Sequence, residues 1–219
     1  RLQPGHPEPT PRTEAVAAPT FSELVSSTGE VGRLLAEKDW TDHALGPMSG
    51  WPLAFRSRLM DLLLAPSAAM LFWGPDFFIF YNDALLVAPG ATGHPSSLGR
   101  PVKELTAVWS VVGAEIEAAY ERRPHPPVES GRILLDRTVP QEEFYLRRSY
   151  RPVTDQHGAV LGVWADPINV TRQALAERRL RVLVSLAQSL AQSPPAPDPV
   201  GRTIRIMRDN VHDHPFVAA

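Results

Sequence analysis

The chain has 219 residues, 43% of them hydrophobic, a net charge of -2 and no cysteine, which suits one well-packed domain with appendages rather than two large ones. The near-neutral charge, without a long basic run, speaks against nucleic-acid and membrane-surface partners, and the missing cysteines exclude disulfides, thiolate metal sites and cysteine nucleophiles. No apolar run reaches membrane-spanning length and no signal-peptide pattern opens the chain, so a cytoplasmic setting is expected; the start on Arg1 suits a fragment or processed product.

Residues 1–19 are Pro-rich and short of large apolar side chains, so they are expected to be disordered. Residues 20–66 read as a helical cap. Thr20-Phe21-Ser22-Glu23 fits a capping box, and Val31, Leu34 and Leu35 give residues 30–38 one apolar side. Trp51-Pro52 then opens a helix carrying Phe55, Leu59, Leu62 and Leu63 as far as Pro66. These helices are expected either to pack on a sheet or to pair subunits.

Residues 70–73 and 77–82 are rich in aromatic and β-preferring side chains, with Gly74-Pro75-Asp76 as turn between them, and predict a β-hairpin. Val108, Val112, Ile116 and Ala119 recur at helical spacing over residues 104–122, with Trp109 beside that face. Three strand-like runs follow, at 133–139, 144–152 and 160–165. Two strands, helices, then three strands make an α+β order.

From Arg172 to Gln192 no Gly or Pro interrupts, and Ala176, Leu180, Leu183, Ala187 and Leu190 recur at alternating spacings of four and three. That short heptad seam predicts a parallel dimerisation helix over 172–193, and hence a homodimer; the alternative is a lone amphipathic helix docked on its own domain. Ser193 to Pro199 is a stiff linker, and a helical stretch and a strand-like end follow it.

Period-two alternation over 144–151 puts Phe144, Leu146, Arg148 and Tyr150 on one face and Tyr145, Arg147, Ser149 and Arg151 on the other. Arg148 therefore shares an apolar face. The ordinary outcome is a salt bridge to an acid such as Glu143 or Asp136, or a side chain reaching to the rim; the other is an acidic ligand.

Several short motifs carry a family resemblance. Phe80-Tyr81-Asn82-Asp83, the run from His94 to Pro101, Trp109 and Gly113 resemble the second strand and helical middle of a PAS domain, and Asp39-Trp40-Thr41, Leu45-Gly46-Pro47 and Trp51-Pro52 resemble the leader of one PAS group. Members of that group are soluble, often hybrid, sensor histidine kinases in which PAS precedes a GAF domain and a kinase core. The resemblance spans about residues 29–187. It implies a five-stranded antiparallel PAS sheet over 67–171 with helices on one side, a helical leader, a C-terminal coiled-coil signalling helix, and a truncated GAF-like start within 194–219.

On that resemblance, Phe72, Phe80, Trp109, Val112, Leu134, Arg148, Tyr150 and Val163 are expected to line a ligand pocket between the sheet and the long helix. Asn82, capping the helix after the second strand, and Asn169 and Thr171, at the hand-over to the signalling helix, are expected to couple it to the output. Many PAS domains have Asp where Asn169 stands, and an aromatic residue where Arg148 stands. The implied function is a sensory and dimerisation module passing a signal to a histidine kinase of a two-component phosphorelay, with GAF and kinase domains in cis. The alternatives are a ligand-free scaffold for dimerisation or docking, and the input of a non-kinase effector.

Catalytic chemistry is not expected within the chain. There is no glycine-rich phosphate loop, phosphoacceptor His box or nucleotide box, so the chain itself is not the kinase. His94, His125, His212 and His214 read as loop or tail residues rather than metal ligands, and the pairs Glu115/Glu117 and Glu142/Glu143 as solvated carboxylates. Without Cys, a cysteine-linked flavin or chromophore is excluded; without His in 104–122, the familiar haem ligation is missing, leaving His94 as the one haem candidate. Non-covalent flavin, a small metabolite and a filled core all stay open.

Overall fold

The computed structural model describes residues 18–86, 93–124, 128–134 and 143–191, and the side chains of 128–134, 143–144 and 189–191 are not described. The expected disordered tail up to residue 17, the linker and GAF-like start, and Asp136 fall outside the described residues.

The leader folds as three helices, α1 (Phe21–Ser26), α2 (Glu30–Glu37) and α3 (Leu53–Leu63). The capping box forms at α1: the Thr20 amide donates to Glu23 Oε2 at 2.6 Å and the Glu23 amide donates to Thr20 Oγ1 at 3.3 Å. The Thr20 amide, and then the Thr20 hydroxyl donating to Glu23 Oε2 at 2.9 Å, hold the Glu23 carboxyl below its ordinary pKa. Strands β1 (Met70–Trp73) and β2 (Phe78–Tyr81) follow, then the single turn α4 (Asp83–Leu86) and the long helix α5 (Thr106–Tyr120). Strands β3 (Val128–Leu134), β4 (Glu143–Thr154) and β5 (Val160–Asn169) lead into α6 (Thr171–Ala191).

The strands form one antiparallel sheet in the order β2-β1-β5-β4-β3. Directly paired residues of an antiparallel ladder share a face. Met70, Phe72, Ile79 and Tyr81 therefore lie with Val163, Ala165, Tyr150 and Arg148 on one face, and Leu71, Trp73, Phe78 and Phe80 with Trp164 on the other.

Helices cover both faces. The Phe55 ring of α3 lies 4.8 Å from Trp73 and 5.1 Å from Phe80, within a cluster that includes Trp40 and Trp51. Of the two outcomes expected for the leader, the structure has it packed on the sheet. α5 lies over the opposite face, so the expectation of helices on one side holds only for the part after β2.

Two strands, β3 and β5, differ most from their expected bounds. β3 begins five residues earlier than predicted, because pairing to β4 rather than local apolarity selects it: Gly131 pairs Leu146 and Leu134 pairs Glu143, with a bulge between Val128 and Gly131. β5 runs on through Pro167 to Asn169. Only residues 162–165 of β5 pair with β1, so Pro167 has a single neighbouring strand and its missing N–H costs no bond on the β1 side.

Candidate functional site: the seam between the long helix and the sheet

β4 carries Arg148 and Tyr150 towards α5 because the period of two turns alternate side chains to one face, and both are buried while Arg147 and Arg151 are exposed. The Arg148 guanidinium meets Glu115 of α5, Nη2 to Oε1 at 3.8 Å, beyond hydrogen-bond reach. Its Nε and Nη1 are buried without a hydrogen-bond partner among the described residues. The described partner is thus Glu115, a carboxylate expected to be solvated and here one-fifth exposed; Asp136 and the Glu143 side chain, the acids expected for this role, lie outside the described residues. Burial pushes the Tyr150 hydroxyl well above its ordinary pKa; Arg148 pulls it down and Glu115 adds to the rise.

The structure brings together part of the expected pocket. Phe72, Val163, Tyr150 and Arg148 share the α5 face of the sheet. Val112 and Trp109 of α5 are half-buried against the core, with the Trp109 ring stacked on Phe77 at 5.9 Å. Phe80 is on the opposite face, against Trp40 and Phe55, and lines no seam with α5. The reason is one residue of turn: Gly74-Pro75-Asp76 alone would pair Trp73 with Phe77 and put Phe80 beside Phe72, whereas the actual turn includes Phe77, at φ 53°, and pairs Trp73 with Phe78. Leu134 lies in β3 opposite Glu143, its side chain outside those described.

Among the coupling candidates, Asn82 does not cap α4. Its Nδ2 donates to the Ala65 and Ser67 carbonyls at 3.0 and 2.7 Å, and its Oδ1 accepts from the Ala69 amide at 3.1 Å, so the buried amide pins the loop entering β1. α4, at four residues, leaves little helix to cap. The cap is instead exported by the next residue: Asp83 accepts from the Glu30 and Val31 amides of α2, both at 2.8 Å.

Asn169 and Thr171 sit at the β5–α6 junction. Asn169 Oδ1 accepts from the Thr171 amide at 3.0 Å, and Thr171 Oγ1 accepts from the Tyr145 amide of β4 at 2.9 Å. The Val170 amide donates to the Tyr145 carbonyl at 2.9 Å, and Arg178 Nη1 donates to the Tyr145 hydroxyl at 3.4 Å. Tyr145 is therefore a joint that sequence reasoning missed, since nothing in a strand residue marks which helix start will dock on it. Along α6, Leu180 and Leu183 are 61% and 62% exposed, Ala176 and Ala187 are exposed, and Val182 is buried. The Leu190 side chain is outside those described.

His94, expected as a plain loop residue, is tied in: its Nδ1 lies 2.9 Å from the Tyr81 hydroxyl and its Nε2 3.5 Å from Glu30 Oε1. Among the described residues no helix is long and apolar enough to cross a membrane.

No protein-family model matches the chain, and no curated protein matches it. Among solved structures it is similar to an RNA-binding light-oxygen-voltage receptor, at 21% identity and a TM-score of 0.41, over 68% of this chain and 43% of that one. It is also similar to a C-terminal domain from Streptococcus mutans, at 23% identity and a TM-score of 0.35, over 57% of this chain and 90% of that one. The chain spans less than half the length of the receptor.

Proposed function

We propose that the chain is a PAS sensory and dimerisation module that passes a change of state through α6 to a histidine kinase of a two-component phosphorelay. The reading is supported by the single antiparallel array built from two strands, helices and three further strands, and by motifs that resemble that PAS group. The observation that carries it is the β5–α6 junction, where Asn169, Thr171 and both backbone groups of Tyr145 bind the helix start to β4. A shift of β4 or β5 is then a shift of α6, and α5 touches both strands on the seam side.

The exposed Leu180 and Leu183 give α6 an apolar stripe suited to a second copy of the helix. Replacing both by Glu is expected to give a monomer in sedimentation; an unchanged dimer, or a wild type that is already monomeric, would refute pairing through this seam. In the complete polypeptide, Thr171→Val is expected to alter autophosphorylation, and an unaltered level would remove the junction from the signalling path.

A further inference from the structure

Three polar residues among those described are fully buried, and two are well supplied. Asn82 makes three hydrogen bonds, and Ser97 Oγ lies 3.4 Å from the Tyr81 hydroxyl. Arg148 stands apart. It is a guanidinium at 8% exposure, and among the described residues its one near acid is 3.8 Å away and two of its nitrogens have no acceptor. Buried donors normally find acceptors, and charged donors have most to gain from them.

Among the described residues, β5 and α5 offer little to fill that need; the side chains of β3, where Val128 pairs with Arg148, are not described. On β5 the positions opposite Arg148 and Tyr150 are Pro167 and Ala165. On α5, helical spacing puts Ala118 and Ala119 on the Glu115 side, both buried. Small side chains thus flank Arg148 on β5 and on α5.

We infer that Arg148 anchors a small-molecule site in the seam between α5 and β4, and that the molecule it holds is uncharged and presents a carbonyl-type acceptor to Nε and Nη1. This rests on the sensor reading above and names its ligand class. The charge argument decides the class. Glu115 already sets a negative charge against the guanidinium, so an anionic ligand brings a second one into the same poorly solvated seam. A neutral acceptor takes the free N–H groups without that repulsion. Arg148 also stands where the PAS group resembled here favours an aromatic residue, so the site belongs to this chain's own sequence.

Benzamide and benzoate, close in shape and different in charge, make the test. Binding is read by titration calorimetry in wild type and variants, and in wild type also by the Arg148 Nε–H resonance of the isotope-labelled chain, assigned by its loss in Arg148→Lys. Benzamide is expected to shift it saturably in wild type and to lose its binding in Arg148→Met. Benzoate is expected to bind about tenfold or more weaker than benzamide, with the gap closing in Glu115→Gln. Benzoate binding as tightly as benzamide in wild type overturns the uncharged class. Benzamide binding that survives in Arg148→Met, or no shift with either probe, overturns the site. Native mass spectrometry separates the two readings: a small molecule retained equally by wild type and Arg148→Met upholds the sensor and overturns the Arg148 anchor.

Discussion

Arg148 sets a local conflict between stability and binding. Two buried donor nitrogens without acceptors among the described residues each cost about 1–3 kcal/mol, and a 3.8 Å ion contact without a hydrogen bond offsets only part of that. Arg148→Met should therefore raise the unfolding free energy of ligand-free protein by about 1–3 kcal/mol in urea titrations; a fall of that size would mean the guanidinium is already satisfied. Tyr150 supplies a pH signature. Its folded-state pKa is raised chiefly by burial, so the unfolded chain releases this proton first and binds fewer protons above pH of about 10. The stability it contributes is whole below that pH and declines above it, by up to about 1.4 kcal/mol per pH unit. Tyr150→Phe should flatten the decline in stability measured between pH 9 and 11, and parallel curves for the two proteins would contradict the shift. Alternation alone exposed the anomaly at Arg148, since a period of two needs no tertiary knowledge. Its partner Glu115 was hidden, because which side of an acid-bearing helix turns inward is decided by packing.

At the scale of elements, local pattern marked the hairpin, the long helix and the helical course of α6, while register escaped it. Phe80 changed face because one extra turn residue, Phe77, moved the β1–β2 pairing by one position. β3 was displaced because Glu129, Ser130, Gly131 and Arg132 looked less strand-like than the apolar residues that follow. Thr171 shows how a single hydroxyl joins elements. Thr171→Val removes the acceptor of the half-buried Tyr145 amide, at a cost of about 1–2 kcal/mol, and leaves the junction to the Asn169 cap and the Val170–Tyr145 backbone bond. Hydrogen exchange should accelerate in the first two turns of α6 and at Tyr145 while β1 and β2 stay protected; uniform acceleration would indicate global destabilisation instead.

For the molecule as a whole, the leader is part of the fold and is locked on by close approaches at two glycines. Gly99, at φ 76°, lets the Trp40 ring lie where a Cβ would stand 2.5 Å from it, beside Lys38 Nζ donating to the Leu98 carbonyl at 2.7 Å. Burial there lowers the Lys38 pKa, with Arg100 adding to the effect. Gly29, at φ 145°, admits the Asp83 carboxylate to the start of α2, where a Cβ would meet Oδ2 at 2.0 Å. The sequence showed α2 as an amphipathic helix; its N-cap Gly29 has no side chain to cap it, and the carboxylate that accepts from its first amides lies more than fifty residues away, beyond any local motif. Asp83→Ala should lower the unfolding free energy by about 0.5–2 kcal/mol and speed exchange of the Glu30 and Val31 amides first. Asp83→Asn, which offers one amide oxygen in place of two carboxylate oxygens, should fall between. Gly29→Ala should reproduce the loss at Glu30 and Val31 with Asp83 still present, because the added methyl group displaces the carboxylate. If the two alanine variants instead exchanged like wild type at these amides, α2 would be held by its apolar face alone, through Val31 and Leu35, and the leader would owe nothing to Asp83.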